Sequence, residues 1–251
     1  MCSSDLAWPF HVFRGKVNAP TVDPATGRVI ERPGLDPETG LLVAVDDGWP
    51  SVPQGLSREG ARAAMEGAFD ALFREMPFVD GPSRSAAASL LLTALLRPLL
   101  RSAPMHLVDA AAPGTGKSKL AEAAALIATG GEPTTVIWSG RPEEDEKRIG
   151  SALRAADPFV LFDNVEHPLG GGQLAAALTQ DPVNIRVLGQ SELMTLGTRV
   201  MMAATGNNIA VAGDVGRRCV KARLDARTPE PEKRRFDWDP VKVARERRRE
   251  L

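Results

Sequence analysis

The segment Ala111-Ala112-Pro113-Gly114-Thr115-Gly116-Lys117-Ser118 carries the densest chemical signal in the sequence. It fits the pattern Gly-x-x-x-x-Gly-Lys-Ser/Thr at its Gly-Lys-Ser end, with Ala111 in the first glycine position. Glycines at 114 and 116 let the backbone turn tightly before a helix, so that successive N–H groups point at phosphate oxygens. Lys117 adds a flexible positive charge near the outer phosphates of a nucleotide, and the Ser118 hydroxyl offers an oxygen to Mg2+. The predicted nucleotide-binding segment is Ala112, Pro113, Gly114, Thr115, Gly116, Lys117, Ser118 and Lys119. A glycine turn entering an ordinary helix with a surface lysine is the plain alternative, and it explains neither the residue types nor their joint placement.

Three further groups fall where this chemistry would need them. Asp163 follows the apolar run PFVLF at 158–162, so it is expected at the C-terminal end of a buried strand, where ligands bind in open α/β sheets. A carboxylate there can orient Mg2+ or its water shell beside Ser118. The phrase ATGNN at 204–208 follows another apolar strand, and Asn207, or else Asn208, could orient an attacking water or sense the terminal phosphate. Arg217 and Arg218 precede the apolar segment CVKARL; an arginine at such an edge could enter a neighbouring subunit's site and offset charge developing in phosphoryl transfer. A turn or helix cap, a solvent-facing turn and a local salt bridge are the respective plain alternatives.

These groups need a scaffold, and the periodicity supplies one. From residue 105 onward, short strand candidates alternate with helices: Met105–Ala110, Thr134–Trp138, Phe159–Phe162, Ile185–Leu188, Val200–Ala204 and Cys219–Leu224 as extended pieces, Lys117–Ala128 and Gln173–Thr179 as helices. Pro142 suits the first turn of a further helix with Ile149, Leu153 and Ala156 inward, and with Glu143–Lys147 and Glu144–Arg148 as surface pairs. The alternation predicts an α/β sandwich around a mainly parallel sheet, without fixing strand order. Upstream, helices are expected over Ser57–Met76, with an inward stripe running from Ala61 and Met65 to Met76, and over Arg84–Arg97, with Leu91, Leu92, Leu95 and Leu96 inward. In the first 55 residues the turn phrases DPATG at 23–27 and DPETG at 36–40 imply local reversals, and Leu41–Val45 a strand. The organisation expected is an accessory or upstream-domain remnant over 1–55, a helical lead-in over 56–104, a phosphate-loop core over 105–228 and the start of a helical lid over 229–251.

Composition bounds the alternatives. With 251 residues and 43% apolar residues the chain can bury a substantial core, which argues against disorder or a disulfide-stapled scaffold. Cys2 and Cys219 form no metal-ligand spacing, and the absence of a secretory pattern points to a reducing cytoplasmic compartment. The most apolar stretch, near 86–100, is broken by Arg97 and Pro98 and is too short for a bilayer, so no membrane partner is expected. His11, His106 and His167 are dispersed and read as packing or surface residues rather than zinc ligands. Residues 221–251 hold 11 Lys and Arg against 7 Asp and Glu, whereas residues 1–220 hold 20 against 25, so any attraction to phosphates or an acidic partner concentrates at the C-terminal end.

Taken with FVDGPSRSAAASLLLTALLRP, DPFVLFDNVEHPLGG, RVLGQSE, MAATGNN and AGDVGRRCVKARLDA, the phosphate-loop segment resembles the AAA+ ATPases over residues 77–240. It is more closely similar to the helicase-like ATPase portions of phage or mobile-element primase-helicase proteins. The resemblance implies a three-layer P-loop NTPase fold of AAA+ type. It matches Gly114, Gly116, Lys117 and Ser118 to the Walker A loop and Asp163 to the Walker B acid. Asn207 corresponds to sensor 1, and Arg217 or Arg218 to a finger acting in trans. It also implies ATP and Mg2+, a homo-oligomer such as a hexamer, single-stranded or replication-fork DNA, and primase or other replication proteins as partners. Many AAA+ proteins place a glutamate directly after the metal-site aspartate; here Asn164 stands, and an amide cannot act as a general base. Glu166 is the nearby carboxylate that could assume that role. The segment PEKRRFDWDPVKVARERRREL resembles the entrance to an incomplete helical lid, and its Arg-rich surface is expected to be poorly packed in this chain alone. Alternatives from other classes are an ATP-regulated loader or binding module and a P-loop small-molecule kinase.

Overall fold

A computed structural model of the chain describes residues 12–46, 48–186, 193–228, 230–233 and 237–251. Cys2, His11, most of RVLGQSE and the end of the expected extended piece Ile185–Leu188 lie outside the described residues.

The first segment builds its own small β layer. Strands β1 (Gly15–Val17), β5 (Leu41–Val43) and β4 (Gly34–Asp36) form one sheet, with β1 parallel and β4 antiparallel to the central β5, and β2 (Thr21–Val22) pairs antiparallel with β3 (Val29–Ile30). Both Asp-Pro phrases close as expected: Gly27 donates to the Asp23 carbonyl and Gly40 to the Asp36 carbonyl, each at 2.8 Å and each in the left-handed region open to glycine. Val17, Ile30, Leu41 and Val43 form a miniature core closed by Leu99. The layer is docked rather than loose, since Asn18 Nδ2 donates to the Thr129 carbonyl and Thr21 Oγ1 to the Leu95 carbonyl.

Helix α1 (Arg58–Phe73) is capped by Ser57, and α2 (Gly81–Leu96) by Asp80, whose carboxylate accepts the Ser83 N–H at 2.8 Å. Only the last turns of α1 are buried, through Phe69, Leu72 and Phe73; Ala61 and Met65 of the expected stripe face solvent. On α2, Leu91 packs inward as expected, but Leu92 is exposed and the small residues Ala86, Ala87 and Ala94 complete the contact face. Arg97, which breaks the apolar run, is itself buried. It donates to the carbonyls of Val200, Leu100 and Thr198, and desolvation pulls its pKa down to about 10. No helix among the described residues is long and apolar enough to cross a membrane.

The remainder is an α/β body containing β6 (Met105–Ala110), α3 (Lys117–Thr129), β7 (Thr134–Val136), α4 (Pro142–Ala155), β8 (Phe159–Val165), α5 (Gly172–Thr179), β9 (Val183–Arg186), β10 (Leu193–Leu196), β11 (Met201–Asn207), β12 (Cys219–Leu224) and α6 (Pro240–Arg247). Five strands form a parallel sheet in the order β12-β6-β11-β8-β7. Side chains alternate across each strand, so one sequence run feeds two cores. Leu161, Met201, Ala203 and Leu224 pack on the layer of α1, α2, α3 and α6, while Leu107, Val160, Phe162 and Met202 pack on α4 and α5. This double burial is why the strands read as continuous apolar runs.

Three local expectations are corrected. Helix α4 buries Ile149, Ala152 and Leu153, but Ala156 is an exposed left-handed C-cap at φ 53° rather than an inward residue. Its surface pairing is Glu144 with Lys147 at 2.8 Å, three residues apart, because Arg148 turns away to the Ile137 carbonyl. Strand β10, absent from the sequence reading, pairs antiparallel with β9.

Candidate functional site

Strand order decides which loops meet. Because β11 lies between β6 and β8, the loop leaving β6, the end of β11 and the acid-bearing end of β8 converge at one rim of the sheet, with Asn207 opposite Ala110 and Gly206 opposite Val165. Strands β8 and β11 both run beyond their expected ends. Asp163 therefore sits within β8 rather than after it, and the apparent turn TGN is the last part of β11. At Gly206 a Cβ would meet the Val165 carbonyl oxygen at 2.6 Å, so the irregular crossing of β8 and β11 requires glycine.

The phosphate-loop segment leaves β6, turns through Gly114 at φ 72° and Gly116 at φ 94°, and enters α3 at Lys117. The first turn of this 13-residue helix directs its unpaired N–H groups and positive dipole end toward the rim. Lys117 is 9% exposed, and its Nζ donates to the Ala112 carbonyl at 3.0 Å and to Asn207 Oδ1 at 2.8 Å, with Thr115 Oγ1 at 3.4 Å. Burial lowers its pKa, opposed by the charges of Asp109 and Asp163. Ser118 Oγ donates to Asp163 Oδ1 at 2.8 Å, and buried Thr205 donates to the same oxygen. Ser118 and Asp163 thus present oxygen donors side by side, the chemistry that suits Mg2+.

Other predicted residues are placed differently. Asn208 is left-handed at φ 54° and uses its N–H on the Ala110 carbonyl, so of the two asparagines Asn207 is the one whose side chain meets Lys117. Lys119 pairs with Asp239 at 2.6 Å, beside Trp238 and Pro240. Pro113 and Gly114 are exposed at the loop's outer edge. Glu166 is exposed and accepts from Asn164 Nδ2 at 3.2 Å; Asn164 is itself exposed and left-handed at φ 50°. Arg217 and Arg218 both pair with Asp214, Arg217 at 2.5 Å. They lie just before Cys219, which is opposite Met105, so the pair sits at the far end of β6 from the phosphate loop. That separation is about 16 Å at about 3.3 Å per residue step.

The sequence reading missed two features. Thr205 looked like part of a turn, although its place between the strand and Asn207 gave the signal. An open pocket of about 260 Å3 extends from residues 114–119 to Leu72, Met76, Trp238 and Pro240. Trp238 is held by Arg74, whose guanidinium carbon lies 3.7 Å from the ring centroid. Nothing in local sequence links Met76 to Trp238; the packing of α6 against both α1 and α3 does.

No protein-family model matches this chain, and no curated protein matches it in sequence. Among solved structures, the apo C-terminal region of NrS-1 aligns over 94% of this chain and 53% of its own, at 11% identity and a TM-score of 0.48. JCV helicase aligns over 66% of this chain and 46% of its own, at 15% identity and a TM-score of 0.37. The chain spans about half the length of each of these structures.

Proposed function

We propose that this chain is a Mg2+-dependent ATP hydrolase module of AAA+ type that assembles with copies of itself, as in a hexamer, and couples hydrolysis to unwinding or remodelling of replication DNA in a phage or mobile element. The supporting observation is the convergence of Lys117, Asn207, Ser118 and Asp163 beside the N-terminus of α3. The N–H groups of 114–118 receive the phosphates, and Lys117 exchanges its contacts with Ala112 and Asn207 for phosphate oxygens. This exchange releases Asn207 to orient the attacking water. Ser118 and Asp163 hold Mg2+, which when bound neutralises charge on the phosphate oxygens. The apolar pocket floored by Met76 and Trp238 accommodates the base. Arg217 or Arg218, remote from its own phosphate loop, serves a neighbour.

One observation favours a second function, an ATP-regulated loader or binding module. Asn164 replaces the adjacent glutamate, and the carboxylate expected to stand in for it, Glu166, is exposed and hydrogen-bonded to that amide. The discriminating measurement is ATP turnover with and without single-stranded DNA, with assembly state followed by light scattering. DNA-stimulated turnover in an assembled species is expected. Binding without turnover selects the loader, and failure to bind nucleotide overturns both.

A further inference from the structure

Asp109, the penultimate residue of β6, is 2% exposed and is not used in the chemistry above. Burying a carboxylate costs several kcal/mol unless it is paired and hydrogen-bonded. Its partners are specific. Oδ1 accepts the Ile209 N–H at 2.9 Å, while Oδ2 lies 3.4 Å from Lys221 Nζ and 3.9 Å from Arg223 Nε on β12. Lys221 also donates to the Ile209 carbonyl at 3.0 Å, so both backbone polar groups of Ile209 are engaged. One residue earlier, the Asn208 N–H donates to the Ala110 carbonyl at 2.9 Å.

All these bonds converge on the two residues after Asn207, where the ladder between β11 and β6 ends. Strand pairing already holds β11 against β6 as far as Asn207 opposite Ala110. What the carboxylate adds is restraint on the outgoing chain, and hence on the backbone that aims the Asn207 side chain at Lys117. We propose that Asp109, with Lys221, is a positioning pair that fixes Asn207 at the phosphate loop. The proposal rests on the nucleotide reading above and deepens it: Asp109 is not among the hydrogen-bond partners of Lys117, on which its charge acts from a distance, and it acts on the geometry of the site through Asn207.

The test compares Asp109→Ala, Asp109→Asn, Lys221→Met, Asn207→Ala and the double variant Asp109→Ala/Asn207→Ala in the full chain. Asp109→Ala and Lys221→Met should lower kcat for ATP hydrolysis about tenfold while KM moves less than about threefold, as expected for a geometry effect on the chemical step. Asp109→Asn should recover most of that loss, because its amide oxygen can still accept the Ile209 N–H. The double variant should be no slower than Asn207→Ala alone, since a residue acting through another loses its effect when that other is removed. Multiplied losses in the double variant, or unchanged kcat in both single variants, would overturn the proposal. Lys221→Met substitutes a partly exposed side chain and keeps the test open if Asp109→Ala fails to fold. Amide exchange separates this failure from that of the nucleotide reading. Protection of the Ile209 N–H should be lost in Asp109→Ala even if the wild-type chain hydrolyses nothing, and intact protection there refutes the clamp on its own.

Discussion

Lys117 Nζ and Asn207 Oδ1 stand 2.8 Å apart across 90 residues of sequence, joining the loop that leaves β6 to the end of the adjacent strand β11. The contact keeps a mostly buried ammonium satisfied, and burial lowers its pKa against the opposing charges of Asp109 and Asp163. A phosphate group that takes over this ammonium supplies stronger, charged hydrogen bonds.

Lys117→Ala is therefore expected to weaken ATP binding at least tenfold, read by titration calorimetry, since a charge-assisted contact contributes about 1.5–3 kcal/mol. Asp163→Asn should leave most of the affinity for nucleotide and chiefly reduce Mg2+-dependent turnover, because it removes the anionic ligand while keeping an oxygen for Ser118 and Thr205. Near-wild-type hydrolysis by either purified variant would remove the site assignment.

His106 gives the fold a defined response to acid. It is 2% exposed in β6, its Nε2 lies 3.1 Å from Ser89 Oγ, and burial pushes its pKa down from 6.5 to about 4. Between those values the unfolded chain takes up a proton that the folded chain refuses, so stability falls as pH falls through this window and the loss is complete below about 4. The loss attributable to His106 is on the order of 3 kcal/mol. Urea unfolding of wild type and His106→Gln between pH 7 and 4.5 should show the steeper decline in wild type, and parallel profiles would contradict this account.

How much of this was legible depended on range. β6, α3 and β12 were delimited almost to the residue, because apolar runs buried on both faces and a Gly-Lys-Ser helix start are local signals. β11 was cut short at Ala204 because Thr205, Gly206 and Asn207 have turn chemistry, and only pairing with β6 and β8 carries the strand through them. The gathering of Lys117, Asp163 and Asn207 was expected from a phosphate loop entering a helix and from the strand ends at Asp163 and Asn207. Asp109 went unnoticed because a single acid in an apolar strand has no local partner; Ile209 and Lys221, which satisfy it, lie 100 and 112 residues away. The docked N-terminal layer was likewise invisible, since the residues that hold it are on α2 and α3.

The C-terminal tail packs its apolar face, while Arg245, Arg247 and Arg249 of its Arg-rich surface are exposed. Val243 and Ala244 of α6 are buried against α3, and Arg248 donates to the carbonyls of Leu126 and Ile127 in the last turns of α3, the former already accepting the Gly130 N–H, and to that of Asn18 in the N-terminal layer. Its guanidinium also lies 4.9 Å from the Trp49 ring centroid. Amides of α6 should exchange slowly in the isolated chain, and Arg248→Ala should cost about 1–3 kcal/mol in denaturant unfolding. Rapid exchange throughout 240–247 would contradict this packing.

The arginine pair tests whether a neighbour completes the site. Arg217 and Arg218 precede the start of β12, whereas the phosphate loop follows the end of β6, so neither lies beside the loop of its own chain. Both pair with Asp214, and the Arg217 side chain is 72% exposed. A Lys117→Ala chain lacks its own phosphate contact but keeps both arginines; an Arg217→Ala/Arg218→Ala chain has the reverse defect. Mixed in one assembly, they should regain ATP turnover that neither homogeneous variant has, because the first chain donates its arginine to the second chain's nucleotide. An arginine at a transition state can contribute as much as about 10³-fold or more in kcat, so even a minority of productive interfaces should be measurable. Mixed assembly demonstrated by exchange of labelled subunits, without regained turnover, would assign the pair a structural role through Asp214 and leave hydrolysis to a site complete within one chain.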